Sequence, residues 1–265
     1  MEHPPFHLSL VIPHYNEGDR LHLLEGGLVE LAHDSSEINV EALLIDDGST
    51  DHTLEGLKLL QAEFHEKHGV DDERFHLKCI QQIPNAGKGE ALRRGVREAN
   101  GDWILTLDAD MAARPIEVLN WQHAGHLDIL SPAEEHSVLI GSREAPDSIV
   151  LDKSGRRIMG RIFNFITRTI SGLPLRDTQC GFKLYPAAVA KDIFPKLFHT
   201  GWAHDVEILM RVHQQQIEIK SLPIHWTAME GSKINPIKDS WDMFLALWEI
   251  RSKLKAEFRK SSSPL

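Results

Sequence analysis

The chain has 265 residues, 42% of them hydrophobic and 26% charged. That balance suits a folded globular protein and excludes disorder, collagen and a disulfide scaffold. Acidic residues outnumber basic ones 39 to 29, a net charge of −10 that argues against general nucleic-acid binding, because phosphates demand a positive field.

The first 110 residues alternate regularly. Residues 8–12 form a short apolar run closed by Pro13 and predict a buried strand. Leu21, Leu24, Leu28 and Leu31 recur at helical spacing and predict a helix over 19–33. Residues 40–45 predict a second strand, after which Asp51 is placed to cap a helix reaching about residue 65. A third strand over 75–80, a third helix over 87–99 and a fourth strand over 103–107 complete the series. This β-α-β-α-β-α-β order predicts an α/β protein with a Rossmann-like, mostly parallel sheet flanked by helices.

The second half is less regular. It predicts a strand over 138–141, helices over 155–171, 187–195 and 204–215, a strand over 217–224 and a last amphipathic helix over 237–258. No repeat, low-complexity segment or Gly/Ser linker interrupts the chain, so a single domain over 1–265 is expected. Residues 8–112 and 113–258 would be its two halves.

Ligands in such sheets bind beyond the carboxyl ends of the strands, and four polar clusters fall there. Pro13-His14-Tyr15-Asn16-Glu17 follows the first strand, with a ring to stack on a base and polar groups for a base edge or ribose. Asp46-Asp47-Gly48-Ser49 follows the second and offers acceptors around a tight turn, or a plain helix start. Asn85-Ala86-Gly87-Lys88-Gly89 precedes the third helix, where glycines let backbone N–H groups approach a phosphate and Lys88 adds charge. It is neither a Walker A loop nor a Gly-x-Gly-x-x-Gly fingerprint, which demotes a P-loop NTPase or a nicotinamide dehydrogenase. Asp108-Ala109-Asp110 ends the fourth strand with two carboxylates on one side of an extended chain. Two adjacent anions are unfavourable without a cation, and Mg²⁺ or Mn²⁺ would relieve them; a solvated turn is the bland alternative.

In this order the four clusters resemble the nucleotide-sugar half of a GT-A glycosyltransferase of family 2. Gly141-Ser142-Arg143, Arg156 and Arg157 with Asn164, the run from Asp177 through Gln179 to Lys183, Trp202 through Asp205 to Glu207, and Gly231-Ser232-Lys233 look like the dolichyl-phosphate glucosyltransferase group. Polyprenyl-phosphate mannosyl- and glucosyltransferases are its close relatives. The resemblance implies a metal-dependent transfer of a hexose, with glucose from UDP-glucose favoured, to a polyprenyl or dolichyl phosphate with inversion.

By the same resemblance Pro13, Tyr15, Asn16, Glu17, Asp46, Asp47, Asn85, Gly87, Lys88 and Asp108 serve the nucleotide, and Asp108 and Asp110 hold the divalent cation. Asp110, Arg143 and Asp205 are the catalytic candidates. Arg143, Arg156, Arg157, Asp177, Gln179, Trp202, Glu207 and Lys233 are the acceptor- or sugar-side candidates. A phosphate acceptor needs positioning more than a base, and Arg forks suit that task. Asp205 is where a base would stand for a hydroxyl acceptor. Asp177 would meet the sugar or orient an arginine. The group usually has Phe where His204 stands, which reads either as a titrating neighbour of Asp205 or as a tolerated change.

Two further expectations concern location. Cys79 and Cys180 stand far apart in no metal-ligand spacing and read as free thiols of a reducing compartment. The first residues lack a basic start and a long apolar run, and no window reaches about 18 apolar residues, so neither a signal peptide nor a spanning helix is expected. The protein is therefore expected in the cytoplasm or on the cytoplasmic face of a membrane. Segment 153–176 carries Lys153, Arg156, Arg157, Arg161, Arg168 and Arg176 among Ile, Met and Phe, a basic apolar pattern that suits a membrane surface or a helix with snorkelling arginines. The competing functions are a related soluble family 2 transferase with a sugar or small hydroxyl acceptor, and a non-catalytic nucleotide-sugar binding module. A nucleotidyltransferase would carry a Gly-rich basic loop where Pro13–Glu17 stands.

Overall fold

The computed structural model describes residues 6–131, 136–151, 167–201, 203–229 and 236–261. Its first half is β1 (Leu8–His14), α1 (Leu21–Asp34), β2 (Val40–Asp46), α2 (Thr53–His68), β3 (Phe75–Gln81), α3 (Lys88–Glu98) and β4 (Trp103–Thr106). The local chemistry explains these bounds. Asp51 accepts the Thr53 N–H at 2.9 Å and so caps α2, and Gly69 ends it in a left-handed conformation.

The second half adds α4 (Glu117–His123), β5 (Val138–Gly141), β6 (Ile149–Leu151), β7 (Lys183–Pro186), α5 (Ala187–Ile193), α6 (His204–Gln214), β8 (Ile219–Leu222), β9 (His225–Thr227) and α7 (Pro236–Ser261). Seven strands make one sheet in the order β3-β2-β1-β4-β7-β5-β8, in which β7 runs antiparallel to both its neighbours and every other pairing is parallel. Strands β6 and β9 form a separate parallel ribbon.

Alternate strand residues feed two cores. Leu8, Leu10 and Ile12 join Leu24, Leu28, Leu57, Phe64 and Trp121 beneath α1, α2 and α4. Val11, Leu43 and Ile45 face Ala91, Val96, Val206, Leu209 and Ile250 beneath α3, α6 and α7. Burial on both faces is why the strands read as continuous apolar runs rather than alternating ones.

Several second-half elements differ from expectation. The strand expected over 217–224 stops at Leu222, and Pro223, which has no N–H to donate, separates it from β9. The helix expected over 187–195 ends at Ile193 in a 3-10 turn containing Pro195. Elements α4, β6 and β7 were not foreseen; β7 reads Lys-Leu-Tyr-Pro, too short and too polar at one end to show as a strand. Most of the basic helix expected over 155–171 lies outside the described residues. Its end, 167–171, is helical, and Ile170, Leu173 and Leu175 are buried against the α7 side of the sheet. In α7 itself Leu247, Ile250 and Leu254 are buried, while Leu245 and Trp248 are 52% and 58% exposed. Among the described residues no helix is long and apolar enough to cross a membrane.

Candidate active site

The strand order reverses between β1 and β4, which opens a crevice at their carboxyl ends. The loops after β1, β2 and β4 all emerge there, and they are tied together before any ligand is considered. Asn16 adopts a left-handed backbone (φ 54°), and its amide oxygen accepts the Thr50 N–H at 2.8 Å, so it joins the first loop to the second. Glu17 pairs with Arg20 at 2.5 Å, and its N–H donates to the Thr53 hydroxyl. Pro13 is buried and Tyr15 is 43% exposed.

Asp46 is fully buried. One oxygen accepts the Ser49 N–H, and the other has no partner among the described residues. Asp47 organises the loop that carries Lys88. Its carboxylate accepts the Ala86 and Gly87 N–H groups at 2.9 and 2.8 Å and the Gln82 amide at 2.7 Å, while its carbonyl accepts the Asn85 side chain. Asp47, Asn85 and Asn16 thus shape the pocket wall with the groups foreseen for the nucleotide. Gly87 is required at its place, because its φ is +94° and a Cβ would stand 2.8 Å from the Thr200 carbonyl oxygen.

The metal candidates sit where that loop meets the second half. Lys88 Nζ donates to Asp108 Oδ1 at 2.5 Å. Burial alone would lower the Lys88 pKa, but the charges of Asp108, Asp205 and Asp110 outweigh it and raise it. Asp110 accepts the Ala112 N–H at 3.0 Å, yet burial and then the neighbouring Asp108 charge push its carboxyl above the usual range. A carboxylate strained in this direction is relieved by added positive charge, so the oxygen-rich pair fits a hard divalent cation. The charge of Arg20, a residue not expected at the site, acts in the opposite direction on Asp110.

The second half closes on this pair. A Cβ at Gly181 would stand 2.4 Å from an Asp108 carboxylate oxygen, so the run from Asp177 to Lys183 lies with its backbone directly against Asp108. That run also fixes Arg143. Its Nε and Nη2 donate to the two oxygens of buried Asp177 at 2.7 and 2.8 Å, and its backbone N–H adds a third bond. Burial opposes both charges, but the pairing prevails, raising the Arg143 pKa and lowering that of Asp177. Trp226 lies under the guanidinium, 5.3 Å from ring centroid to Cζ. Asp177 therefore orients an arginine, and the Gln179 N–H caps one of its oxygens.

Asp205, at the start of α6, is bonded through Oδ1 to the Nζ of Lys183 at 2.5 Å. Burial would raise its pKa, but the Lys183 charge holds it well below the usual carboxylate range. His204 is buried beside it. Its Nδ1 lies 2.8 Å from the Gly201 carbonyl oxygen, and burial lowers its pKa, so it stands as neutral imidazole.

Glu207 corrects an expectation. It is fully buried, and its carboxylate is taken up by the Phe198 and His199 N–H groups and by Arg211. It shapes a loop rather than meeting a ligand. Arg156, Arg157, Trp202 and Lys233 lie outside the described residues. Gly181, Lys183 and Trp226 are site residues that the sequence reading passed over as such. Lys183 had a signal, a lysine set between Phe182 and Leu184, whereas nothing in the order of residues marks Trp226.

A GT-A fold is what this arrangement shares with solved structures. Glucosyl-3-phosphoglycerate synthase from Mycobacterium tuberculosis, in complex with Mn²⁺, UDP and glucosyl-3-phosphoglycerate, aligns with a TM-score of 0.61 at 17% identity over 91% of this chain and 77% of its own. The same enzyme with Mg²⁺ and UDP aligns with a TM-score of 0.58 at 16% identity over 92% and 77%. Residues 9–194 match the model of glycosyl transferase family 2, and the chain belongs to that family. It is 32% identical to a dolichyl-phosphate beta-glucosyltransferase of Dictyostelium discoideum over 93% of this chain and 77% of that protein. It is also 32% identical to the Saccharomyces cerevisiae protein of that name, over 92% and 74%, and 31% identical to the human one, over 88% and 71%.

Proposed function

We propose that this glycosyltransferase moves glucose from UDP-glucose to dolichyl phosphate or a similar polyprenyl phosphate, with inversion at the anomeric carbon. The substrates rest on the likeness to the dolichyl-phosphate beta-glucosyltransferases. The observation that carries the reaction class is the meeting of the Asp108–Asp110 pair with Lys88 and with the preset Arg143 fork. Residues 8–112 form the donor half in this reading and 113–258 the acceptor half.

Tyr15 and Pro13 bracket the base, the buried free oxygen of Asp46 accepts a hydrogen bond from it, and Glu17 and the Asn85–Lys88 loop face ribose and phosphates. Asp108 and Asp110 hold Mg²⁺ or Mn²⁺, which supplies Lewis-acid stabilisation of the departing diphosphate. Lys88 adds positive charge beside the leaving group. Arg143 presents its remaining N–H groups to the acceptor phosphate, with Gln179, and Arg156, Arg157, Trp202 and Lys233 completing the acceptor side. An ionised phosphate needs no proton removed, which agrees with an Asp205 held too acidic to serve as a base near neutral pH. The protein meets its lipid at the cytoplasmic surface of a membrane, through 153–176 and the exposed side of α7.

The test is a transfer assay with UDP-glucose and GDP-mannose, with and without a short dolichyl phosphate, in Mn²⁺ or Mg²⁺. The expected outcome is UDP release that requires the lipid and stops with EDTA. Release that ignores the lipid, or requires a soluble hydroxyl compound instead, overturns the proposed acceptor.

A further inference from the structure

Lys183 is fully buried on β7, a strand hydrogen-bonded on both sides, where it pairs in register with Thr106 of β4 and Ile140 of β5. Its ammonium donates to the Cys180 carbonyl at 2.6 Å and to Asp205 at 2.5 Å. Stability does not account for such a pair, since desolvating two charges offsets most of their attraction and apolar replacements of equal volume often fold as well.

The surroundings of Asp205 leave Lys183 a specific task. From its own helix, His204 turns a lone pair toward it. Nδ1–H donates to Gly201, so Nε2 is an acceptor, 3.6 Å from Asp205 Oδ2 and without a hydrogen-bond partner among the described residues. From β7, Tyr185 contributes a buried hydroxyl with no charge. The start of α3 lies against the start of α6, where a Cβ at Gly89 would stand 3.1 Å from His204 Cβ, so Lys88, its Nζ bonded to Asp108, lies within the field of Asp205. The start of α6 adds the favourable end of a helix dipole. Charges therefore alternate from the interior to the crevice: Lys183, Asp205, Lys88, Asp108.

We infer that Lys183 is a positioning residue for sugar transfer, acting through Asp205 to keep a fixed anion behind Lys88 and so hold the Lys88 ammonium at the place where the diphosphate departs. This rests on the function proposed above and deepens it. Without the Lys183 ammonium, Asp205 loses the hydrogen bond that fixes its carboxylate, so near neutral pH the anion no longer holds Lys88 in place, and at lower pH Asp205 takes up a proton more readily than in the wild type.

The experiment compares full pH profiles of kcat and donor KM for wild type, Lys183→Met, Lys183→Arg, Asp205→Asn and the double variant Lys183→Met/Asp205→Asn, each checked by thermal melting. Lys183→Met is expected to lower kcat about tenfold at pH 7.5 with donor KM within about twofold. Its acid limb should move up by about one pH unit or more. Lys183→Arg should restore part of kcat, and Asp205→Asn, which has no carboxyl at this place to titrate, should show no upward move of the acid limb. In the Asp205→Asn background, Lys183→Met should cost nothing further.

A folded Lys183→Met with the wild-type profile overturns the inference, as does a double variant that loses activity additively. If Lys183→Met does not fold, the double variant, which buries no unpaired charge at this pair, decides by equality with Asp205→Asn or by a further loss. The wild type separates the two proposals. If it transfers nothing to dolichyl phosphate, the acceptor assignment fails, and the same profiles are read on UDP release from UDP-glucose with the same outcomes.

Discussion

The two halves of the molecule answer their carboxylates in opposite ways. In the first half, Asp46, Asp47 and Asp110 are met by backbone N–H groups of Ser49, Ala86, Gly87 and Ala112. Those partners organise a loop without cancelling charge. In the second half, Asp177, Asp205 and Glu207 are each met by a buried or half-buried cation, Arg143, Lys183 and Arg211. A region that leaves negative charge uncancelled is built to receive a cation and the phosphates that come with it. Carboxylates each paired with a cation, as these three are, hold side chains still. Within the first half Asp108 is the exception, since it is bonded to the Lys88 ammonium.

The largest effect should come from the uncancelled side. Asp110→Asn removes half of the cation site, so transfer should fall by about a thousandfold or more, since metal stabilisation is worth several kcal/mol. UDP binding measured by calorimetry without metal should weaken far less, because Pro13, Tyr15 and Asp46 are untouched. Wild-type turnover by Asp110→Asn would erase the contrast between the halves.

Glu207→Gln probes the cancelled side and should act on folding rather than on substrate. It weakens bonds to Phe198, His199 and Arg211 in the interior. A loss of about 3 kcal/mol in chemical denaturation is expected, at the lower edge for a broken buried pair because Arg211 keeps Glu257. Donor and acceptor KM should stay near wild type; a selective rise in acceptor KM would return Glu207 to the binding residues.

His14 sharpens the comparison through pH. It is buried at the end of β1, donates from Nδ1 to the Ile12 carbonyl, and has no hydrogen-bond partner at Nε2 among the described residues. Burial lowers its pKa from 6.5 to about 4, against a smaller opposing effect of the Ile12 hydrogen bond. Below pH 6.5 the unfolded chain gains a proton that the folded chain refuses, so stability falls with pH until about pH 4 and levels off beneath it. His14→Gln should remove about 2 kcal/mol of the stability difference between pH 7.5 and 5. An unchanged pH dependence would mean that the imidazole is not buried neutral.

The same contrast explains what the sequence could show. In the first half each functional cluster follows its strand within a few residues, so Pro13–Glu17, Asp46–Asp47 and Asp108–Asp110 could be placed from strand order alone. In the second half the candidate site residues are held by pairs 22 and 34 residues apart, Lys183 with Asp205 and Arg143 with Asp177. No local pattern marks such partners. The sheet brings them together through β7, whose four residues carry too little periodicity to read as a strand. Trp226 was hidden for the same reason, since Pro223 breaks the apolar run that leads to it. Glu207 was expected at the site because an acidic residue two positions after Asp205 reads as a second site carboxylate, whereas one half-turn of helix carries it into the core.

The smallest predicted effect tests whether the second half is truly rigid. Arg143 is held by a two-pronged bond to Asp177 and by the face of Trp226. Lysine keeps the charge but cannot make both prongs and has no flat surface to stack. Arg143→Lys should lower kcat/KM for the acceptor roughly tenfold while leaving UDP binding and melting near wild type. Trp226→Leu should cost about 1 kcal/mol of the same quantity, through loss of the cation–π contact alone. Both changes act on the aim of one group, so the double variant should lose less than the sum of the two. If instead the losses add, the ring and the guanidinium work separately, and Arg143 is a mobile surface charge that happens to lie near Asp177. If they overlap, the acceptor phosphate meets a cation whose direction was set during folding, which is the property that distinguishes this half from the loops around Asp46, Asp47 and Asp110.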